Sequence, residues 1–371
     1  MKYYIIAGEA SGDLHASNLI RELKKLDANA EFRCWGGDLM KAQGAQLVKH
    51  FRELAFMGFV EVLMNLRTIM KNIKFCKIDI LQYKPDAIIL VDYPGFNMRI
   101  AEFAKQAGIK VFYYISPQIW AWKQSRVHKI KRTVDRMFVI LPFEEEFYHR
   151  FNYKVDFVGH PLLDAINDGS NKSDVLDFRK KEMLSDKPII AILPGSRKQE
   201  IQKMLAVMLE MQKQFSNYEF VIAGVSSLPK EFYETICKGS NVKIIYGKTY
   251  LLLSNATAAL VTSGTATLET ALFEVPEVVC YKGSAISYML AKKLVKVKYI
   301  SLVNLIMDQE VVKELIQQDF NKENLIAELQ KLLTPQYANE MKIKFTELKN
   351  KLGGIGASAK TADLIIKALQ P

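Results

Sequence analysis

Two glycine-bearing loops carry the first chemical signal. GEASGD at 8–13 and SGTATLE at 263–269 each follow a short apolar run and open a helical pattern. Backbone N–H groups at a helix start have no intrahelical partner and sit at the positive end of the helix dipole, so both loops suit an anionic or polar ligand. One stands in each half of the chain, which predicts one ligand cleft between two domains. In the first loop Gly8 and Gly12 shape the turn, and Glu9, Ser11 and Asp13 are candidate substrate contacts. Ser11 and Asp13 serve equally well as helix N-caps.

Further polar residues sit just past apolar runs. In LPGSR at 193–197, Ser196, the amides that follow it and the fixed charge of Arg197 suit a pyrophosphate. A Pro-Gly turn with a surface arginine is the plainer reading. In SGTATLE, Thr265, Ala266 and Thr267 offer amides at a helix start, and Glu269 is placed to accept two ribose hydroxyls or simply to favour the helix dipole. VDYPGFN puts Asp92 at the end of an apolar strand and before a Pro-Gly turn, as a general base or a turn cap. His160, in FVGHPL, fits hinge or packing duty at least as well as proton transfer.

What is missing narrows the chemistry. Neither loop spells G-x-G-x-x-G, and no G-x-x-x-x-G-K-[ST] occurs. No two aspartates lie two positions apart, and the five histidines make no metal-ligand spacing, so the expectation is chemistry without metal or cofactor. Cys34, Cys76, Cys237 and Cys280 stand far apart with no C-x-x-C pair and read as buried small hydrophobes in a reducing compartment. The apolar start at 3–7 is too short for a signal-peptide core, which predicts a cytoplasmic protein.

The net charge of +11 admits nucleic acid, anionic lipid or a plain basic surface as its cause. Part of the excess is local. Lys123, Arg126, Lys129, Lys131, Arg132 and Arg136 follow Trp120-Ala121-Trp122 against the single Asp135. Residues 54–77 form an apolar stretch with Arg67, Lys71, Lys74 and Lys77 toward its end. Glu61, Asn65 and Arg67 interrupt it, so it reads as an interfacial helix with a basic rim or as a core helix, not a membrane span.

The elements that must position these residues alternate in kind. Strands are expected at 2–7, 86–91, 110–115 and 137–140, with helices such as 14–26 and 98–107 between them. A polar stretch at 164–187 reads as a linker, after which strands are expected at 189–193, 219–223, 242–245, 258–261 and 278–281. The tail at 336–369 reads as helices broken at Gly353, Gly354 and Gly356. With 371 residues and 49% hydrophobic content there is material for two α/β cores. Two doubly wound parallel sheets follow, with ligands where strand C-termini meet helix N-termini.

The motifs together resemble those of the lipid-A-disaccharide synthase family. GEASGD at Gly8, LAFMGFVEVL at Leu54, VDYPGFN at Val91, YISPQIWAWKQSRV at Tyr114, LPFE at Leu141, FVGHPL at Phe157, LPGSR at Leu193, TSGTATLE at Thr262 and SLVNLI at Ser301 stand in the family's order and spacing. The resemblance covers nearly the whole chain and is weakest at 164–187 and in the tail. It implies a GT-B glycosyltransferase, two Rossmann-like domains facing across a cleft with C-terminal helices returning to the N-terminal domain. The implied division is an acceptor and membrane-facing domain at 1–165, a UDP-sugar-binding domain at 166–345 and a returning helix at 346–371.

The implied reaction joins UDP-2,3-diacylglucosamine to 2,3-diacylglucosamine 1-phosphate (lipid X), giving the β-1,6 lipid A disaccharide 1-phosphate and UDP. Inversion at the sugar carbon needs one general base, for which Asp92 is the candidate. Arg197 and the helix start at 265–267 would take the charge of leaving UDP, Glu269 the ribose, and Asn304 a donor contact. Gly8, Glu9, Ser11, Gly12 and Asp13 would shape the acceptor side. The resemblance also implies peripheral association with the cytoplasmic face of the inner membrane and no nucleic-acid partner, and it leaves monomer and homodimer open. Family members often carry a second Asp in the VDYPGFN segment, where this chain has Gly95. A peptidoglycan transferase or UDP-N-acetylglucosamine 2-epimerase of the same fold, or a non-catalytic basic module, are the competing readings.

Overall fold

The computed structural model describes residues 1–53, 66–169, 172–226, 228–283, 288 and 297–370. The apolar part of the interfacial stretch, 54–65, lies outside the described residues. The chain divides into two compact units, one of residues 1–165 with 352–371 and the other of residues 166–351.

The first unit runs β1 (Lys2–Ala7), α1 (Ala10–Leu26), β2 (Glu31–Gly36), α2 (Asp38–Ala42), β3 (Gln46–His50), α3 (Leu66–Tyr83), β4 (Ala87–Val91), α4 (Pro94–Gln106), β5 (Lys110–Tyr114), α5 (Val127–Thr133), β6 (Arg136–Val139), α6 (Phe143–His149) and β7 (Asp156–Phe157). Its seven strands are all parallel, in the order β3-β2-β1-β4-β5-β6-β7. The central strands read as unbroken apolar runs because helices cover both faces. One face presents Tyr4, Ile6, Ile88, Leu90, Val111, Tyr113, Met137 and Val139 to Ile73, Cys76 and Ile80 of α3 and Ile100 and Ala104 of α4.

The helix α7 (Leu162–Gly169) carries the chain across the division at 165–166. The second unit continues with α8 (Lys172–Lys181), β8 (Ile189–Leu193), α9 (Lys198–Leu209), α10 (Met211–Gln214), β9 (Glu219–Gly224), α11 (Lys230–Ile236), β10 (Lys243–Tyr246), α12 (Thr249–Asn255) and β11 (Ala256–Thr262). It ends with α13 (Thr265–Leu272), β12 (Glu277–Tyr281), α14 (Leu302–Met307), β13 (Lys313–Ile316), α15 (Lys322–Leu332) and α16 (Pro335–Lys351). The six strands, again parallel, are ordered β10-β9-β8-β11-β12-β13. The last helix, α17 (Ala357–Leu369), belongs to the first unit and packs on α1.

The stretch expected to be a linker holds most of α7 and all of α8 instead. Leu162, Ala165 and Phe178 are apolar anchors buried by these helices, and their wide spacing within polar sequence hid the helical period. The strands β2, β3, β7 and β13 also went unread. They are edge or near-edge strands with charged residues such as Glu31, Arg33, Lys49 and Glu314, so they lack the continuous apolar run of the centre. All four cysteines are free and buried.

In both sheets the first strand of the unit lies centrally and the chain reverses direction beside it. The reversal falls between β1 and β4 in one unit and between β8 and β11 in the other. Crossover loops on the two sides of such a point run apart and leave a crevice at the strands' carboxyl ends.

Candidate functional site

In the first unit, Ala7 at the end of β1 pairs with Val91 at the end of β4, so the GEASGD loop and Asp92 leave the sheet side by side. Gly8 is required there, because a Cβ on it would overlap the Tyr93 ring. Asp92 and Tyr93 are both left-handed, with φ of 44° and 47°. For side-chain-bearing residues this costs roughly 1–2 kcal/mol each. The Asp92 N–H donates to the Tyr114 carbonyl at 3.2 Å, and its own carbonyl accepts from Tyr113 Oη at 2.6 Å and Asn97 Nδ2 at 2.7 Å.

Burial of the Asp92 side chain, then the negative charge of Glu9, push its carboxyl up to about 7, against the pull of a hydrogen bond from the Tyr93 N–H. A carboxyl poised there exchanges protons efficiently near neutral pH, whereas one near pKa ~4 is a weak base toward an alcohol.

The other loop residues divide by burial. Ser11 is exposed at the start of α1, Glu9 is half-buried, and Gly12 is buried against Ala7. Asp13 turns away from solvent. Its carboxylate accepts the N–H groups of Gly37 at 2.7 Å, Leu39 at 3.1 Å and Met40 at 3.2 Å, capping α2 rather than its own helix.

In the second unit, β8 and β11 are neighbours, which sets LPGSR beside SGTATLE. Gly195 has φ of +103°, and a Cβ on it would stand 3.3 Å from Thr262 Cγ2. Ser196 and Arg197 are exposed at the start of α9, whose N-terminus has no side-chain cap. Arg197 reaches Glu200 at 3.0 Å. The N-terminus of α13 also lacks a side-chain cap; Thr265 is exposed, Ala266 half-buried and Thr267 buried with its hydroxyl on the Gly264 carbonyl at 2.9 Å. Two uncapped helix starts on adjacent strands can hold an anion with backbone amides and dipoles together. Glu269 is half-buried, its pKa raised by burial and opposed by the hydroxyl of Tyr250, which donates to it at 3.3 Å.

Asn304 does other work. Its Nδ2 donates to the Val312 carbonyl at 2.8 Å and to Glu314 at 2.9 Å, and its Oδ1 accepts from the N–H groups of Val311 at 2.7 Å and Val312 at 2.9 Å. All four hydrogen-bonding positions of the amide are used inside the protein. Its role here is to hold the turn at 300–301 through Glu314, which accepts the Ile300 and Ser301 N–H groups. His160 is likewise a packing residue: it is buried, its Nδ1 accepts from the Leu162 N–H at 3.2 Å, and its own N–H donates to the Leu352 carbonyl at 3.0 Å.

Four residues beside these loops escaped the sequence reading: Asn97 and Tyr113 on the Asp92 carbonyl, Tyr250 on Glu269, and Glu314 on Asn304. Asn97 lies inside VDYPGFN and was visible as a motif residue. The others sit in ordinary strands and helices with no local signal.

A family model described as Lipid-A-disaccharide synthetase matches residues 3–364. The chain belongs to that family. Members of the lipid-A-disaccharide synthetase family are hexosyltransferases, and the relatives agree. The chain is 38% identical to the lipid-A-disaccharide synthase of Geobacter metallireducens over 98% of this chain and 96% of that one. It is 39% identical to the enzyme of the same name from Syntrophus aciditrophicus, over 99% and 97%. Among solved structures it is similar to a UDP-GlcNAc 2-epimerase from Neisseria meningitidis, with a TM-score of 0.71 at 16% identity over 99% of this chain and 100% of that one. It also resembles the calicheamicin glycosyltransferase CalG4, with a TM-score of 0.62 at 13% identity over 100% and 99%. These likenesses establish the GT-B type of α/β fold for this family member. The epimerase likeness is one of fold, and the family match decides against the epimerase and basic-module readings.

Proposed function

We propose that the chain transfers the 2,3-diacylglucosaminyl group of UDP-2,3-diacylglucosamine to the 6-hydroxyl of lipid X, with inversion, giving the β-1,6 disaccharide 1-phosphate and UDP. The observation that carries this reading is Asp92, at the sheet's reversal point, left-handed, partly buried, beside Glu9 and with its carboxyl raised to about 7. Asp92 takes the hydroxyl proton as the acceptor oxygen bonds to the anomeric carbon, and the bond from that carbon to the β-phosphate oxygen of UDP breaks with its electrons leaving on UDP. Gly8, Glu9, Ser11 and Gly12 form the acceptor side, and Asp13 fixes α2 behind them.

On the donor, Arg197, Ser196 and the amides of Thr265, Ala266 and Thr267 balance the charge of departing UDP, and Glu269 holds the ribose. Asn304 contributes by fixing the adjacent 300–301 turn.

The same reading places the protein on the cytoplasmic face of the inner membrane. Among the described residues no helix is long and apolar enough to cross a membrane. The outer side of α3 exposes Leu66, Met70, Phe75, Ile78 and Leu81 between Arg67, Lys71, Lys74 and Lys77. Trp122 carries Lys123 Nζ 4.6 Å and Arg126 5.1 Å from its ring centre. Apolar groups interleaved with cations suit the boundary between acyl chains and anionic head groups, where acylated substrates are met.

The test is UDP release from UDP-2,3-diacylglucosamine and lipid X in detergent with EDTA, comparing the parent protein with Asp92→Ala. Release that requires lipid X and collapses in the variant supports the reading; release that is indifferent to lipid X overturns it.

A further inference from the structure

The Asp92–Tyr93 turn is held by atoms that do not belong to the acceptor loop. Two consecutive left-handed residues with side chains persist only where the surroundings over-determine them. Here the Asp92 carbonyl accepts two buried donors, Tyr113 Oη from β5 and Asn97 Nδ2 from α4. Asn97 Nδ2 also lies 3.3 Å from the Val91 carbonyl and 3.4 Å from that of Ile6, so one amide gathers the ends of β4 and β1. The Tyr93 ring is fixed against Gly8 and stacks on Phe96 with centres 5.6 Å apart.

We infer that Tyr113 and Asn97 are positioning residues that fix where Asp92 presents its carboxylate, an inference that rests on Asp92 being the base. They act on the backbone carbonyl, and beside the hydrogen bond it accepts from the Tyr93 N–H the carboxylate keeps lone pairs for a substrate hydroxyl. With either donor gone, the turn relaxes toward ordinary backbone angles and the carboxyl swings toward water. Among the described residues, the titratable groups beside that carboxyl are Glu9 from the loop after β1, Tyr113 from β5, which also feels Arg126, and the neighbouring Tyr93. Burial is the largest cause of the raised carboxyl and Glu9 adds to it, so exposure to water lowers the proton affinity of Asp92.

Tyr113→Phe removes one donor and keeps the ring; Asn97→Ser shortens the other. Both are compared with the parent by UDP release between pH 5.5 and 9 and by 13C NMR titration of labelled aspartate carboxyls. The expected result is a fall in kcat of about tenfold or more with both KM values nearly unchanged. The acid limb of the rate profile and the Asp92 carboxyl titration move down together by about one pH unit. A folded Tyr113→Phe with the parent's kcat, acid limb and carboxyl titration overturns the inference. Should Tyr113→Phe fail to fold, Asn97→Ser carries the same comparison. Full activity in Asp92→Asn would instead remove the base assignment, and the carboxyl titration would still read the clamp.

Discussion

Asn304 donates its amide to Glu314 at 2.9 Å, and between them the two side chains hold the main-chain N–H groups of Ile300, Ser301, Val311 and Val312. A residue that the family resemblance assigns to the donor thus has its amide committed to the backbone around it. Asn304→Ala strands several buried groups, each costing about 1–3 kcal/mol. The expected outcome is a lower melting temperature together with a several-fold higher KM for the UDP-sugar, read by calorimetry and steady-state kinetics on one preparation.

Glu269 gives a sharper test of the ribose assignment. Burial raises its pKa and the hydrogen bond from Tyr250 opposes the rise, so Tyr250→Phe should raise it further. A protonated carboxyl accepts fewer hydroxyl hydrogen bonds, so the KM for the UDP-sugar in Tyr250→Phe should climb as pH falls, starting at higher pH than in the parent. Identical KM–pH curves for the two proteins would count against Glu269 as a ribose contact.

On the proposed mechanism Asp92 should set the pH dependence of catalysis. With the carboxyl near 7, kcat should rise as pH increases through that value, and Asp92→Asn should lose about 10²-fold or more. The stability effect runs the other way. The folded pKa lies above the unfolded value of ~3.9, so the native state binds more protons between those limits and Asp92 costs stability as pH rises through the window. Asp92→Asn is therefore expected to melt higher than the parent at pH 8 while losing most of its activity.

The two buried histidines work on stability with the opposite sign. Burial lowers His15 to about 4, with Asp164 raising it in part, and lowers His160 to about 3, with His15 adding to the fall. Their unfolded value is ~6.5, so stability is full above it and is lost as pH drops toward the folded values. Two such groups give a slope of up to ~2.7 kcal/mol per pH unit. Raised carboxyls such as Asp92 and Glu144 offset this slope equally in parent and variant, so the difference is the readout: in denaturant titrations between pH 4.5 and 6.5 the parent should lose up to ~1.4 kcal/mol per pH unit more than His15→Gln as pH falls.

Membrane association should reside in the outer side of α3. Met70 and Ile78 are 52% and 45% exposed, so replacing both with glutamate should leave the fold intact. Binding to vesicles of anionic phospholipid, measured by co-sedimentation, is expected to weaken by about tenfold or more. Equal binding by the double variant and the parent would separate the protein from this membrane surface.

Much of the framework was legible along the chain because its signals are local. A short, fully apolar run bounded by Pro188 and Pro194-Gly195, such as Ile189–Leu193, favours a strand covered on both faces, and Gly8, Gly195 and Gly264 mark where such runs turn into helices. The edge strands and the helices at 162–181 were illegible for the complementary reason. Their apolar contacts are few and widely spaced, and only packing against a sheet or helix selects their conformation.

The site residues divide along the same line. Sequence alone determined the family, the parallel α/β class and the loops that carry Asp92, Arg197 and Glu269, since motif order and hydrophobic period are properties of neighbours in the chain. Tertiary structure decided what each side chain is free to do. It committed Asp13 to α2 and Asn304 to residues 311–314, and it set Tyr113 and Asn97 on the Asp92 carbonyl. Those assignments depend on which distant donors and acceptors meet and on how much water is excluded around them. Burial and hydrogen-bond satisfaction are fixed only when strands and helices far apart in sequence pack together.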